Sequence, residues 1–266
     1  MNSRRRSVRR HGRPPFSVVV VHGGPGAPGS AAEIARDLSR SWGVLEPWQS
    51  ARTVNGQVEE LAHQIEQGAV PPVVLIGHSW GAWLSLLFAA RHPEKVRRIV
   101  LVGCPPFYAR DARAIRRTRR TRLRPAEWKE FRALERELSS PGARALPTML
   151  RRLGELSEVA DSFELIPREA SPTRVDPIVF RKVWNEAAEL RSTGALLRRV
   201  REVTAPILVV HGEDDPHPAK GVVDPLRRLG LSVHVVLLGR CGHEPWRERH
   251  GRGPFYRALR RELSQL

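Results

Sequence analysis

Cysteine is almost absent: the 266 residues contain two, Cys104 and Cys241. They form no C-x-x-C pair and no metal-ligand spacing, so neither a disulfide scaffold nor a zinc module is encoded. A reducing, cytoplasmic setting is the simplest expectation. No apolar run approaches the ~18 residues that a membrane-spanning helix requires, and no membrane span is expected. No G-x-x-x-x-G-K phosphate loop is present. Zinc-finger spacing, an aromatic RNA-binding signature and a basic-zipper heptad are missing as well. Lysine is scarce too, with four residues against 41 arginines in a chain of net charge +17. Such a charge suggests nucleic acid or an anionic surface. The arginines are spread along the chain, however, and their excess over lysine reads as the coding bias of a G- and C-rich genome. A nucleic-acid partner is disfavoured, although the positive field would still favour anionic partners.

What is present is a globular composition, 41% apolar and 27% charged, in a length that fits one large domain or one domain with an insertion. The first residues, Ser3 to Arg10, resemble a twin-arginine signal. A signal needs an apolar segment behind it, and Phe16–Val21 is too short. Residues 1–15 are therefore expected to be a disordered basic arm.

From Phe16 the chain alternates. Phe16–Val21 and Val73–Ile76 are mostly β-branched or aliphatic runs, the pattern of strands buried on both faces, and Val96–Val102 is the strand that follows. A further short strand is expected over Val44–Pro47. Between these runs lie helical patterns at about 31–42, 54–67 and 82–91, the second carrying Val58, Leu61 and Ile65 at helix spacing. Pro71-Pro72 breaks it. Residues 105–204 change texture: they are helical, rich in Arg and Glu, and include Trp128, Phe131, Leu134 and Leu138 at helix spacing. The alternation then resumes with a strand at 206–210, a helix at 222–229, a strand at 232–238 and a closing helix from Pro254. Strand and helix in alternation imply parallel strands with helical crossovers. The expected architecture is α/β, with a core over 16–104 and 205–266 and a helical lid over 105–204.

Four loops carry chemistry. Gly77-His78-Ser79-Trp80-Gly81 is a G-x-S-x-G sequence between a strand and a helix, the context of a nucleophile elbow. His22-Gly23-Gly24-Pro25-Gly26 follows the first core strand. Acyl transfer needs backbone N–H groups to stabilise an oxyanion, and Gly24 and Trp80 are the candidates. His211-Gly212-Glu213-Asp214-Asp215-Pro216 places two acids at a strand end. Arg240-Cys241-Gly242-His243-Glu244-Pro245 places a histidine after the last strand. The chain order Ser, Asp, His is that of an α/β serine hydrolase. Ser79, Asp215 and His243 are the expected triad. His78 reads as packing within the turn, and His217 beside the acid reads either way. Pro245 rules out an H-E-x-x-H helix. No metal and no organic cofactor is expected.

Taken together these loops resemble the α/β-hydrolase fold family, over about 16–104 and 205–266. Counting the family's G-x-x-D pattern from Gly212 puts the acid on Asp215. The His-Gly-Gly-Pro-Gly loop and the Ser-Trp pair also resemble prolyl iminopeptidase relatives. That resemblance implies removal of N-terminal residues and acidic lid groups that hold the substrate's amino group; no single lid glutamate matches that role. Family members usually have two strands before the oxyanion loop, so the resemblance implies a sheet trimmed at one edge. A serine at the nucleophile position argues against the related epoxide and haloalkane chemistry.

Three functions follow. The first is hydrolysis of an ester or amide of a small substrate through an acyl-enzyme. The second is iminopeptidase-like aminopeptidase action on a short peptide. The third is a non-catalytic binding protein, for nucleic acid among others, on a hydrolase scaffold. Arg110, Arg113, Arg116, Arg117, Arg119, Arg120, Arg122 and Arg124 crowd one lid segment. A solvated helix face is the plainer account of them, and selection of anionic substrates is the sharper one.

Overall fold

The computed structural model describes residues 7–140, 146–167 and 175–265. Seven strands form one sheet: β1 (Val8–His11), β2 (Phe16–Val21), β3 (Gly43–Pro47), β4 (Val73–His78), β5 (Val96–Val102), β6 (Ile207–Gly212) and β7 (Val233–Leu238). Their order across the sheet is β1-β3-β2-β4-β5-β6-β7. All neighbours are parallel except β1, which runs antiparallel to β3 with Val8 opposite Pro47 and His11 opposite Val44.

The valine run shows why the sheet is covered on both sides. Val18, Val19, Val20 and Val21 are all fully buried, and side chains of a strand alternate between faces. Val19 and Val21 join a core with Leu75 and Ile99 beneath α2 (Val54–Gly68), α3 (Trp80–Arg91) and α9 (Lys220–Arg228). Val18 and Val20 join a second core with Val74 and Ile76 beneath α1 (Ala32–Leu38) and α10 (Arg252–Leu263). Each such side chain contributes ~1.5–3 kcal/mol when removed from water. Helix α2 starts where Thr53 accepts a hydrogen bond from the Gly56 N–H at 3.0 Å, the usual cap for orphan amides.

Strand β1 corrects the expected disordered arm over 1–15. Residues 1–6 lie outside the described residues. Val8–His11 pairs on one side only, so it needs no apolar run to be stable there. Its polar side chains find partners instead: Arg9 lies 4.3 Å over the Trp48 ring, and His11 Nε2 is 2.8 Å from the buried Glu46 carboxylate.

The insertion between β5 and β6 contains α4 (Ala109–Arg122), α5 (Pro125–Ser139), α6 (Pro147–Asp161), α7 (Pro177–Ser192) and α8 (Ala195–Val200). It packs in two parts. Helices α4, α5 and α6 enclose their own core of Leu123, Phe131, Leu138, Leu150, Leu153 and Leu156. Helices α7 and α8 instead bury Val179, Val183, Leu196 and Val200 in the sheet's own core. The span expected as one lid is thus a self-packed cap followed by two helices anchored to the main body. Among the described residues, no helix is long and apolar enough to cross a membrane.

Candidate active site

Strand β4 passes into α3 through Ser79, whose backbone is forced to φ +51°, ψ −116°. A non-glycine residue there costs ~1–3 kcal/mol and persists only when its surroundings hold it. The Ser79 N–H donates to the Val102 carbonyl of β5 at 2.9 Å. Both flanking glycines are required by contact. A Cβ at Gly77 would lie 2.2 Å from the Gly81 carbonyl oxygen, and one at Gly81 would lie 2.4 Å from that of Val21. Trp80 is the first residue of α3, where a backbone N–H has no intrahelical acceptor and the helix dipole is positive. Its indole, buried, donates to Gln57 Oε1 at 2.9 Å.

The loop after β2 lies against this turn. A Cβ at Gly23 would be 2.5 Å from His78 Nδ1 and 3.3 Å from the Ser79 Cβ. Gly24 follows with φ +57° and lines the same cleft as Ser79, Trp80 and His243.

Beyond β6 and β7, the acid and the histidine meet. His243 Nδ1 is 2.8 Å from Asp215 Oδ2. Of the two adjacent acids, Asp215 is the one turned to the histidine; it is almost fully buried behind it. The other carboxylate oxygen, Oδ1, accepts from the His217 backbone N–H at 2.9 Å and faces His217 Nδ1 at 2.7 Å. His211 Nε2 stands 3.3 Å from Asp215 Oδ2 and 2.6 Å from the His217 carbonyl. The rings of His217 and His243 stack, with centroids 4.3 Å apart and planes 24° apart. An ionised carboxylate only accepts hydrogen bonds, so both histidines donate through Nδ1–H and keep a lone pair on Nε2.

Burial alone would raise the Asp215 carboxyl, but His243, His217 and His211 together hold it well below the ordinary carboxylate range. Burial pulls His243 down; attraction to Asp215, their hydrogen bond and the charges of Asp161 and Glu244 outweigh it and leave His243 raised above 6.5. His217 goes the other way, lowered to about 4, because burial and the neighbouring His243 outweigh Asp215. Two histidines on one carboxylate are thereby set apart, one basic and one neutral. Asp215, His217 and His243 also bring three ligand-type atoms within 4.8 Å of one another. Each of these imidazole Nδ1 atoms is matched to a carboxylate oxygen, so hydrogen bonds account for the cluster.

His78 is buried, edge-on to Trp246 at 4.6 Å and 4.9 Å from the His243 ring. Burial, then His243, keeps it neutral and far below 6.5. This is the packing role expected of it.

The lid holds the histidine loop by contacts that the sequence does not advertise. The His243 N–H donates to the backbone carbonyl of Asp161 at 2.9 Å, at the end of α6. Arg119 of α4 in turn grips the Asp161 carboxylate, with Nε 2.7 Å from Oδ1 and a second bond to Oδ2. Glu248, fully buried, accepts from the amides of Gly242 (3.1 Å), Phe163 (3.0 Å) and Glu164 (2.7 Å). Arg247 joins Glu158 of α6 at 2.6 Å to Glu244, beside His243, at 2.7 Å. No motif marks Asp161 or Glu248; only the acid–amide and acid–arginine pairing made by the fold reveals them.

All of this opens on a cleft of about 2130 Å³ between the sheet's loops and the lid. Ser79, Trp80, Gly24, His217 and His243 line it.

The chain belongs to the α/β-hydrolase fold family, whose model matches residues 50–245. Among named relatives, it is 23% identical over 195 residues to a pimeloyl-[acyl-carrier protein] methyl ester esterase of Nitrosospira multiformis, covering 72% of this chain and 69% of that protein. It is 29% identical over 132 residues to a proline iminopeptidase of Neisseria meningitidis, covering 43% of this chain and 41% of that protein. The crystal structure of VinJ superposes with a TM-score of 0.69 at 21% identity, over 97% of this chain and 94% of that one. Relatives at this distance support a hydrolase and leave its substrate open.

Proposed function

We propose that the protein is a serine hydrolase that cleaves a small ester through an acyl-enzyme on Ser79. The observation that carries this reading is the hydrogen-bonded His243–Asp215 pair in the cleft where Ser79 stands on its left-handed turn. His243 Nε2 takes the Ser79 hydroxyl proton as Oγ forms a bond to the substrate carbonyl carbon. Asp215 holds the Nδ1–H tautomer and stabilises the imidazolium. The Trp80 and Gly24 amides meet the oxyanion, each such donor being worth ~10²–10³ in rate. The imidazolium gives its proton to the leaving alcohol. Water then repeats the sequence on the acyl-enzyme and releases the acid.

The aminopeptidase alternative needs a carboxylate available to a substrate ammonium. Around the site, Asp161 is engaged by Arg119, and Glu158 and Glu244 are engaged by Arg247. This favours ester over aminoacyl substrates. A rate comparison separates the two: p-nitrophenyl esters of short acids against aminoacyl p-nitroanilides with free or blocked amino groups. Ester turnover without a requirement for a free amino group is the expected result. Turnover of free-amino anilides alone would replace this reading with the aminopeptidase one.

A further inference from the structure

The charges facing the cleft are unequal in a particular way. Five carboxylates that line it are paired with arginine: Glu135 with Arg116 and Arg132, Glu155 with Arg152, Glu158 and Glu244 with Arg247, and Asp161 with Arg119. Several exposed arginines that line it have no ion-pair partner among the described residues: Arg9, Arg36, Arg151 and, together on α4, Arg113, Arg117 and Arg120. The last three are not scattered. At 100° per residue, positions 113, 117 and 120 of α4 fall within a ~60° stripe of the helix surface. Arg116, already shared with Glu135, borders that stripe. Ile115, the buried residue of α4, and Arg119, bonded to Asp161, also line the cleft but lie outside that stripe. A row of unpaired cations on one wall of a concave site focuses its field on whatever enters. The guanidinium fork matches the two oxygens of a carboxylate or phosphate.

We propose that this cleft selects acyl esters whose far end carries an anionic terminus, a carboxylate or a phosphate, held by Arg113, Arg117 and Arg120 while the ester lies at Ser79. The proposal rests on the serine-hydrolase reading for the reaction, but not for the binding. An anion held at the lid places the scissile carbonyl within the cleft before chemistry, converting binding into orientation. An uncharged ester of the same length lacks that anchor.

The test uses three p-nitrophenyl esters of equal chain length, ending in a carboxylate, a phosphate monoester or a methyl group. The intact protein should favour at least one anionic ester by about tenfold in kcat/KM, the sum expected of a few partly exposed charge pairs. Whichever anion is preferred identifies the terminus. The preference should fall toward one in R113Q/R117Q/R120Q, and at about 1 M salt, where the Debye length is ~3 Å. A control set outside the cleft, R228Q/R257Q/R261Q, should leave the ratio unchanged; an equal loss there would assign the effect to overall charge and overturn the proposal. Equal or better use of the methyl-ended ester would also overturn it, with the serine-hydrolase reading intact. Calorimetric binding of the same esters to Ser79→Ala separates the two claims. Selective binding of the anionic ester without turnover by the native protein would sink the catalytic reading and keep the anion site, whereas unselective binding would remove the site.

Discussion

The two walls of the cleft are built from opposite chemistry. The sheet side presents short loops whose few polar groups sit at strand ends: half-buried Ser79 and buried Asp215, His217 and His243. The lid side presents helices crowded with arginine, some locked into pairs with acids and some unpaired. Positions on the first wall are fixed by main-chain contact, as where Gly77 and Gly81 leave no room for a Cβ. Positions on the second are fixed by charge pairing, which tolerates replacement at the exposed residues and punishes it at the buried ones. The contrast matches the proposed division of labour, with reactivity in the sheet loops and with alignment of the histidine loop and choice of substrate in the lid. The Arg119–Asp161 pair is where the two walls meet, because the same Asp161 holds the His243 amide.

Substitutions on each side should therefore differ in kind. Ser79→Ala should lower kcat by more than ~10⁴-fold with an unchanged melting temperature, since the nucleophile carries most of the triad's effect. Asp215→Asn should cost about 10⁴-fold, because the amide cannot hold the Nδ1–H tautomer of His243; steady-state kinetics of the two variants would check both. Arg119→Ala strikes the junction. It leaves the buried Asp161 carboxylate unpaired, a loss of ~3–5 kcal/mol, to be read from the urea midpoint. Activity should fall with stability there, unlike in Ser79→Ala, and independent changes would break the proposed link between lid and histidine.

The smallest effect separates the two histidines that share Asp215. In the native protein, kcat/KM should fall as pH drops through the His243 pKa, because the base must be neutral, and that limb should lie above 6.5. His217→Ala removes one donor from the carboxylate. Its charge then acts more strongly on His243, so the limb should move to higher pH, by less than ~1 unit. A limb that moves down, or stays fixed while kcat falls, would mean that His217 does not tune the pair.

Much of the first wall was legible in the sequence and little of the second. Val18–Val21 and Val73–Ile76 announce doubly buried strands because apolar residues occupy consecutive positions. The polar edge strand Val8–His11 gives no such signal, since pairing on one side asks only for backbone hydrogen bonds. The loops bearing Ser79, Asp215 and His243 were readable because each must follow a strand in a set order. The grip of the lid on His243 passes through a backbone carbonyl, that of Asp161, which no side-chain pattern encodes. The helical content of 105–204 was readable from its periodicity. Its division into a self-packed cap and two helices sunk in the main core was not, because apolar spacing shows that a face is buried and not against what.

The account stands or falls on an activated serine. Labelling with a fluorophosphonate probe, followed by mass mapping of the modified peptide, tests this without knowledge of the substrate. The account predicts one adduct, on Ser79, that forms more slowly as pH falls through the His243 limb and is absent from Ser79→Ala. Folded native protein that takes up no probe, or takes it up elsewhere, would contradict it and bring the non-catalytic binding function forward.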